Sequence, residues 1–448
     1  MYQSTLAELK RIQPLRHFGK VRSMVGTILE VEGLTHQATI GGRCIIHSRK
    51  RHDISGIPAE IVGFKGDMAL VMPFGTLEGV GPQCRVDYVA SDLELYPHDS
   101  WLGRVIDAEG NPIDGKPPPL LGSQGYRVKG VPPPAHKRGP VGTRLDMGIR
   151  VINSFITCCR GQRVGIFAGS GVGKSVLLSQ LAKYTAADIV IIGLIGERGR
   201  EVGEFITHNL GPEGLKKCVV VVSTSDEPAL MRRQAAYVTL TMAEYFRDQG
   251  KDVLCLMDTV TRFAMAMREI GLSAGEPPAT KGYTPSVFAE LPKLLERAGP
   301  GLKGNTGNIT GLFTVLVEGD DHNEPISDAV RGILDGHIVL ERSIGERGRY
   351  PAINVLRSLS RMMPDCNPKE EMLFVNHAKS LLALYEDMAE MIRLGAYRKG
   401  SSKEVDEAIK YYPALENFLK QGKYERSTME EGYAELKHIL ADFSEDNA

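Results

Sequence analysis

Residues Ala168 to Ser175 read A-G-S-G-V-G-K-S, and this run restricts the fold more than any other part of the chain. An apolar stretch, RVGIF from Arg163 to Phe167, leads into it, and an amphipathic stretch, VLLSQLAKY, leads out. Gly169, Gly171 and Gly173 at alternate positions let the backbone wrap closely around an anion. In a strand–loop–helix turn of this kind the loop N–H groups and the positive end of the helix face the same point. Lys174 then reaches β- and γ-phosphates, and Ser175 offers its hydroxyl to Mg²⁺. The pattern is a P-loop with Ala168 where glycine is usual. The nucleotide-binding set expected from it is Gly169, Ser170, Gly171, Val172, Gly173, Lys174, Ser175 and Val176, with ATP and Mg²⁺ as ligands.

A P-loop needs a parallel sheet behind it, and the sequence supplies one. RVGIF (163–167), DIVIIG (188–193), CVVVV (218–222), DVLCLM (252–257) and LFTVLV (312–317) are near-continuous apolar runs, suited to strands buried on both faces. Helices fit between them. One is expected to start near Asp226 as N-cap, with Pro228 in its first turn, and to run towards Gln249. Before this core, residues 19–93 carry short alternating runs broken by glycine. In VGTILEVEG, Thr27, Leu29 and Val31 fall on one face and Ile28, Glu30 and Glu32 on the other. Lys65, Gly66 and Asp67 read as a hairpin turn, and the whole as a small β-barrel. After residue 367 the strand pattern gives way to three helical ones, EEMLFVNHAKSLLALYEDMAEMIRL, EVDEAIKYYPALENFL and MEEGYAELKHILADF, ahead of a frayed tail. Leu6, Leu9 and Ile12 give residues 1–18 a short amphipathic helix closed by Pro14. The division expected is therefore a short N-terminal helix (1–18), a β-barrel (19–93), an α/β P-loop ATPase core (94–366) and a helical C-terminal domain (367–448).

Two carboxylates stand where such a core needs them. Asp258 closes the run DVLCLMD, the position at a strand tip beside the P-loop strand from which an aspartate holds the Mg²⁺ shell. Glu197 follows the run after the P-loop helix, in GERGREVGEF, where a carboxylate can polarise the attacking water. G-E-R-G-R recurs at Gly345 to Arg349, and only the first copy directly follows a strand, so the second is discounted.

Composition narrows the function class. The chain has 448 residues, with 54 basic and 55 acidic side chains, a balance that argues against a surface devoted to nucleic acid. No apolar run reaches the roughly 18 residues that span a bilayer. The N-terminus lacks the apolar core of a signal peptide, and the expectation is a cytoplasmic protein. Seven cysteines without C-x-x-C spacing read as reduced thiols.

Taken in order, LGRVIDAEGNPIDG, FAGSGVGKS, GLIGERGREVGEF, LMDTVTR, PPATKGYTPSVFAELPKLLERAG and YPAINVLRSLSR resemble the rotary-type hexameric ATPases. These include the ATP synthase catalytic subunit and the ATPases of type III secretion, and GEPPATKGYTPSVF most resembles the flagellar export branch. Ala at the first P-loop position is normal there. The resemblance makes Lys174 and Ser175 the phosphate and metal positions, Glu197 the catalytic carboxylate and Asp258 the Walker-B aspartate. It makes Arg198 and Arg262 active-site arginines, Tyr350 the aromatic that packs on adenine, and Arg361 an arginine finger inserted by a neighbouring subunit. It implies that the α/β core is RecA-like, that helix 1–18 is partner-binding, and that a homohexamer hydrolyses ATP, coupled to type III export, most simply of flagellar components. The implied partners are a central stalk protein touching the loop Gly275 to Tyr283, a regulator at the N-terminal helix, export-gate membrane proteins and chaperone–substrate complexes. The implied location is the cytoplasm, peripheral to the inner membrane. Three alternatives remain open at this stage: a virulence injectisome ATPase, a proton-translocating ATP synthase subunit and a hexameric RNA translocase. The last needs exposed aromatics and basic residues on the barrel, where Phe64, Phe74 and Tyr88 and the cluster Arg49, Lys50, Arg51 are the candidates.

Overall fold

The computed structural model describes residues 17–49, 56–90, 93–304, 307–317 and 324–441. The expected N-terminal helix with Leu6, Leu9 and Ile12, the residues Lys50 and Arg51, and the C-terminal tail lie outside the described residues.

Six short strands come first: β1 (Phe18–Val25), β2 (Ile28–Glu32), β3 (Arg43–Ile46), β4 (Ile57–Lys65), β5 (Met68–Pro73) and β6 (Arg85–Ala90). They close into a barrel in the order β1-β2-β5-β4-β3-β6. Both two-residue hairpins place a glycine at positive φ, Gly26 and Gly66, which a tight turn between twisted strands requires. Leu29 and Val31 point into the barrel as their alternation predicts. Ile28, on the opposite face, is also buried, because with Leu70, Met72 and Phe74 it packs on Ala229, Leu230, Ala266 and Ile270 of the next domain. Of the barrel aromatics, Phe74 lies beneath the Arg43 guanidinium, Tyr88 packs against the barrel interior and Phe64 is partly exposed.

The central sheet contains β7 (Arg104–Ile106), β8 (Arg163–Ala168), β9 (Ile189–Glu197), β10 (Cys218–Thr224), β11 (Asp252–Asp258), β12 (Asn308–Leu316), β13 (Gly336–Leu340) and β14 (Ile353–Ser360). Across the sheet the order is β14-β13-β8-β12-β11-β9-β10-β7. Along this order all neighbours are parallel except the edge pair β13–β14, and off it the short segment Gly299–Pro300 pairs antiparallel with the start of β12. Alternate residues of each strand feed two separate cores. On β9, Val190, Ile192 and Leu194 face one and Ile189, Ile191 and Ile195 the other, which is why the sequence shows unbroken apolar runs. Strand β12 begins at Asn308, earlier than the apolar run at 312 suggests, because Thr310 and Gly311 sit within the parallel ladder.

Asp226 does not cap the helix that follows β10. That helix is Ala229–Asp248, its N-cap position is Pro228, and no side chain caps it. A turn closed by the Glu227 N–H on the Thr224 carbonyl (3.2 Å) occupies the residues between. The C-terminal helices Lys369–Arg393, Lys403–Leu419 and Met429–Ile439 lie where the periodicity places them. Their inward residues Val375, Leu381, Phe418 and Leu436 continue one of the two sheet cores, so this domain is packed directly onto the half of the sheet that carries Leu177, Leu178 and Leu181. No helix among the described residues is long and apolar enough to cross a membrane.

Candidate active site

The site forms where β8 ends. Helix α1 (Lys174–Tyr184) starts at once, with Gly173 at φ +88° as its N-cap and Gly171 at φ +77° in the loop. A Cβ on Gly171 would meet nothing within 4 Å, so the loop opens freely on that side. The loop borders an open cleft of about 590 Å³ lined by Gly169, Lys174, Ser175, Glu197, Arg198 and Arg262 among others. Val172 is different: its side chain is 3% exposed and anchors the loop in the core, leaving only its backbone for a ligand.

Lys174 is the electrostatic centre. Its Nζ lies 3.5 Å from Glu197 Oε1 and donates a shorter hydrogen bond to Asp258 Oδ1. Burial alone would lower the Lys174 pKa, but the charges of Asp258 and Glu197 outweigh it and hold the ammonium above the usual lysine range. Glu197 is pushed above the usual carboxylate range by burial and by the charge of Asp258, against the opposing pull of Lys174. One cation therefore serves two carboxylates, and an incoming phosphate competes with both for it.

Asp258 reaches this position differently from expectation. Its strand β11 does not neighbour the P-loop strand; β12 lies between them, paired to both in parallel. The carboxylate spans that gap because β11 ends at Asp258 itself. Its partner on the intervening strand is small: Thr314 Oγ1 donates to Asp258 Oδ1 at 2.6 Å. Asp258 is then followed by the helix α2 (Val260–Ser273), capped by Thr259, whose hydroxyl accepts the Arg262 N–H at 3.1 Å. That start aims Arg262 at Gly196, where a Cβ would come within 2.9 Å of Arg262 Cβ, so Gly196 (φ +68°) is required for the arginine to line the cleft. Arg198 points away from the lysine into solvent, 3.4 Å from Glu201.

Tyr350 closes the other side. Its ring lies over Gly173, 3.3 Å from where a Cβ would be, and its carbonyl accepts the Gln421 N–H at 2.9 Å. A second cavity of about 480 Å³ lies beyond the ring, between Tyr350, Gly348 and Gln421. The discounted second G-E-R-G-R copy thus borders the site after all. It leads directly into Tyr350, Gly345 faces the Tyr350 ring, and Arg342 just before it donates to the Ser170 carbonyl at 3.0 Å. Sequence reasoning missed Arg342, Gln421 and Thr314. Only Thr314 left a signal, as the single hydroxyl inside the apolar run LFTVLV.

Arg361 is not part of this cluster. It is exposed just past β14, and its N–H bonds the Asp335 carbonyl at 2.9 Å. Asp335 in turn pairs with Arg163 at the start of β8 (3.0 Å). Arg361 therefore sits at the opposite end of β8 from the P-loop, on the order of 17 Å along the strand at about 3.3 Å per residue.

Comparison with known proteins places this geometry. A protein of Caulobacter vibrioides named Flagellum-specific ATP synthase is 57% identical over 442 residues, covering 98% of this chain and 99% of that protein. The chain belongs to the ATP synthase α/β family, in the branch of flagellar and type III secretion ATPases. Residues 148–360 match the nucleotide-binding domain of that family, 21–88 its β-barrel domain, and 367–438 the EscN ATPase C-terminal domain of type III secretion systems. The Type 3 secretion system ATPase of Xanthomonas euvesicatoria is 43% identical over 97% of each chain. Among solved structures, the assembled ATPase EscN of enteropathogenic E. coli superposes with a TM-score of 0.87 at 41% identity, covering 94% of this chain and all of that one. EscN in complex with its central stalk EscO gives a TM-score of 0.85 at 40% identity over the same shares.

Proposed function

We propose that this chain hydrolyses ATP and that hydrolysis drives type III export of flagellar proteins. The observation that carries the enzymatic part is the convergence of Lys174, Glu197 and Asp258 at the mouth of the P-loop. In the proposed mechanism the loop N–H groups and the α1 N-terminus bind the phosphates, and Lys174 leaves its carboxylates for the β- and γ-oxygens. Glu197, freed of its cation, orients the attacking water in line with the γ-phosphate and takes up its proton. Arg262 faces the developing charge, Arg198 turns in from solvent and its Glu201 contact to join it once nucleotide is bound, and Tyr350 stacks on the adenine.

The residues fit a Mg²⁺ ion. Ser175 offers a hydroxyl at the helix N-terminus and Asp258 a carboxylate, both hard oxygen donors. No group of three acidic, His or Cys side chains that could cage a metal occurs among the described residues, which suits an ion that takes the rest of its shell from phosphates and water. When bound, the ion neutralises charge on the β- and γ-oxygens.

Arg361, far from its own P-loop, acts on a neighbour's. This supports a homohexameric ring in which each site is completed in trans, with the Gly275 to Tyr283 loop towards a central stalk. The solved EscN assembly with its stalk supports the same arrangement. The chain divides functionally into segments 1–18, 19–93, 94–366 and 367–448. Leu6, Leu9 and Ile12 dock a regulator, and the C-terminal helices meet chaperone–substrate complexes beside the export gate, on the cytoplasmic side of the inner membrane. The flagellar assignment follows the higher identity to the Flagellum-specific ATP synthase of Caulobacter vibrioides, 57% against 43% for the Type 3 secretion system ATPase of Xanthomonas euvesicatoria. The test is Glu197→Gln in the purified protein and in its native cell. Nucleotide affinity is retained, hydrolysis falls about 10²-fold or more, and flagellar proteins disappear from the medium. Unchanged turnover refutes the site, and loss of virulence effectors with normal flagella refutes the cargo.

A further inference from the structure

Thr314 stands out among the β12 side chains. The strand runs through the middle of the sheet, and Leu312, Phe313 and Val315 around it are apolar and buried. Thr314 itself is 0% exposed, so its hydroxyl must find a partner inside the protein. Two acceptors are within reach: the Met257 carbonyl at 3.3 Å and Asp258 Oδ1 at 2.6 Å. The hydroxyl has one proton, and the shorter contact to a charged acceptor takes it. The threonine cannot drift, because its strand is locked in register on both sides, with Ile166 opposite Thr314 on β8 and Met257 opposite Phe313 on β11. Farther on, the Leu316 N–H bonds the Thr261 hydroxyl at 2.9 Å, which ties the strand end to the helix that follows Asp258.

Asp258 Oδ1 is thus shared between a mobile cation and a fixed neutral donor. Lys174 sits on a long side chain and is needed by the phosphates. Thr314 has no such freedom. Once Lys174 turns to the nucleotide, Thr314 is the donor that still holds the carboxylate, whose side chain is only 5% exposed and poorly served by water.

We propose that Thr314 is a positioning residue that fixes the Asp258 carboxylate for the metal–nucleotide complex. The inference rests on the reading of Asp258 given above. Thr314→Val keeps the shape and removes the hydroxyl, and Thr314→Ser restores it. Affinity for a fluorescent ATP analogue is measured with Mg²⁺ and again in EDTA, together with kcat, KM and the unfolding temperature. In the wild type Mg²⁺ tightens binding. In Thr314→Val that tightening falls about tenfold or more, the factor carried by a hydrogen bond to a charged group, while affinity in EDTA stays within about twofold. Thr314→Ser recovers most of the loss. Full Mg²⁺-dependent tightening in Thr314→Val overturns the proposal. So does an equal loss with and without Mg²⁺, which would mean that the pocket rather than the carboxylate has changed, or a Thr314→Ser variant as impaired as the valine. A wild-type chain that binds no nucleotide under either condition refutes the ATPase reading instead.

Discussion

Lys174→Ala is expected to damage the folded state as well as the chemistry. The lysine faces Asp258 and Glu197, whose side chains are 5% and 18% exposed. Truncating it leaves two carboxylates close together in a buried site with no counter-ion. Removing one partner of a buried pair costs about 3–5 kcal/mol, because the remaining charge keeps its desolvation penalty. For a domain of 150–250 residues each kcal/mol moves the midpoint by about 2–4 °C, which gives a fall of roughly 6–20 °C in the transition of the nucleotide-binding domain. The penalty depends on pH, with a definite sign. Glu197 already sits above its ordinary range, and loss of Lys174 raises it further, so the folded variant binds a proton that the unfolded chain releases from near pH 4.3 upward. The variant is therefore closest to wild type near pH 5 and falls behind as pH rises through the folded-state value of Glu197. Scanning calorimetry of nucleotide-free wild type and Lys174→Ala between pH 5 and 8.5, with ATPase activity measured in parallel, tests this. Turnover is lost at every pH. A variant that melts with wild type across the range would show that the lysine carries no net electrostatic load in the resting site, and the account of one cation shared by two acids would be wrong.

Arg361→Ala is expected to lower turnover roughly 10³-fold, and mixing it with Glu197→Gln should restore part of the activity, because some interfaces then pair an intact carboxylate with an intact finger. Mixed rings that form without recovery would remove Arg361 from the neighbour's site. Asp114, bound by Arg104 through two hydrogen bonds of 2.6 and 2.8 Å, is held well below the carboxylate range by that arginine. Its contribution is present above the unfolded value near 3.9 and is lost as pH falls through the lower folded value. Asp114→Asn should cost about 3–5 kcal/mol near pH 7, and in acid-unfolding curves the gap from wild type should begin to narrow below about pH 3.9 and close only once pH has fallen through the much lower folded value. Parallel curves would show that the pair adds nothing.

How much of this was legible in the sequence follows from the range of each interaction. The P-loop was legible because its chemistry is local: glycines, lysine and serine act through one strand–turn–helix unit whose parts are contiguous. The sheet strands were legible because burial on both faces writes itself as unbroken apolar runs, as in Ile189–Glu197. The C-terminal helices were legible through their 3.6-residue period. Glu197 and Asp258 could be named because each ends such a run, but their relation to Lys174 could not. It depends on which strands become neighbours, and that choice set β12 between β11 and β8 and brought Thr314 to Asp258. Asp226 looked like a helix cap, yet the chain uses a turn there, since capping preference is weak beside the path from strand to helix. The second G-E-R-G-R copy was indistinguishable from a surface loop until folding laid Tyr350 over Gly173. The exposed end of β14 is the clearest case: the sequence supplied Arg361, but only the tertiary structure set it at the far end of β8, because an antiparallel edge strand returns the chain to the end of the sheet where the parallel strands begin.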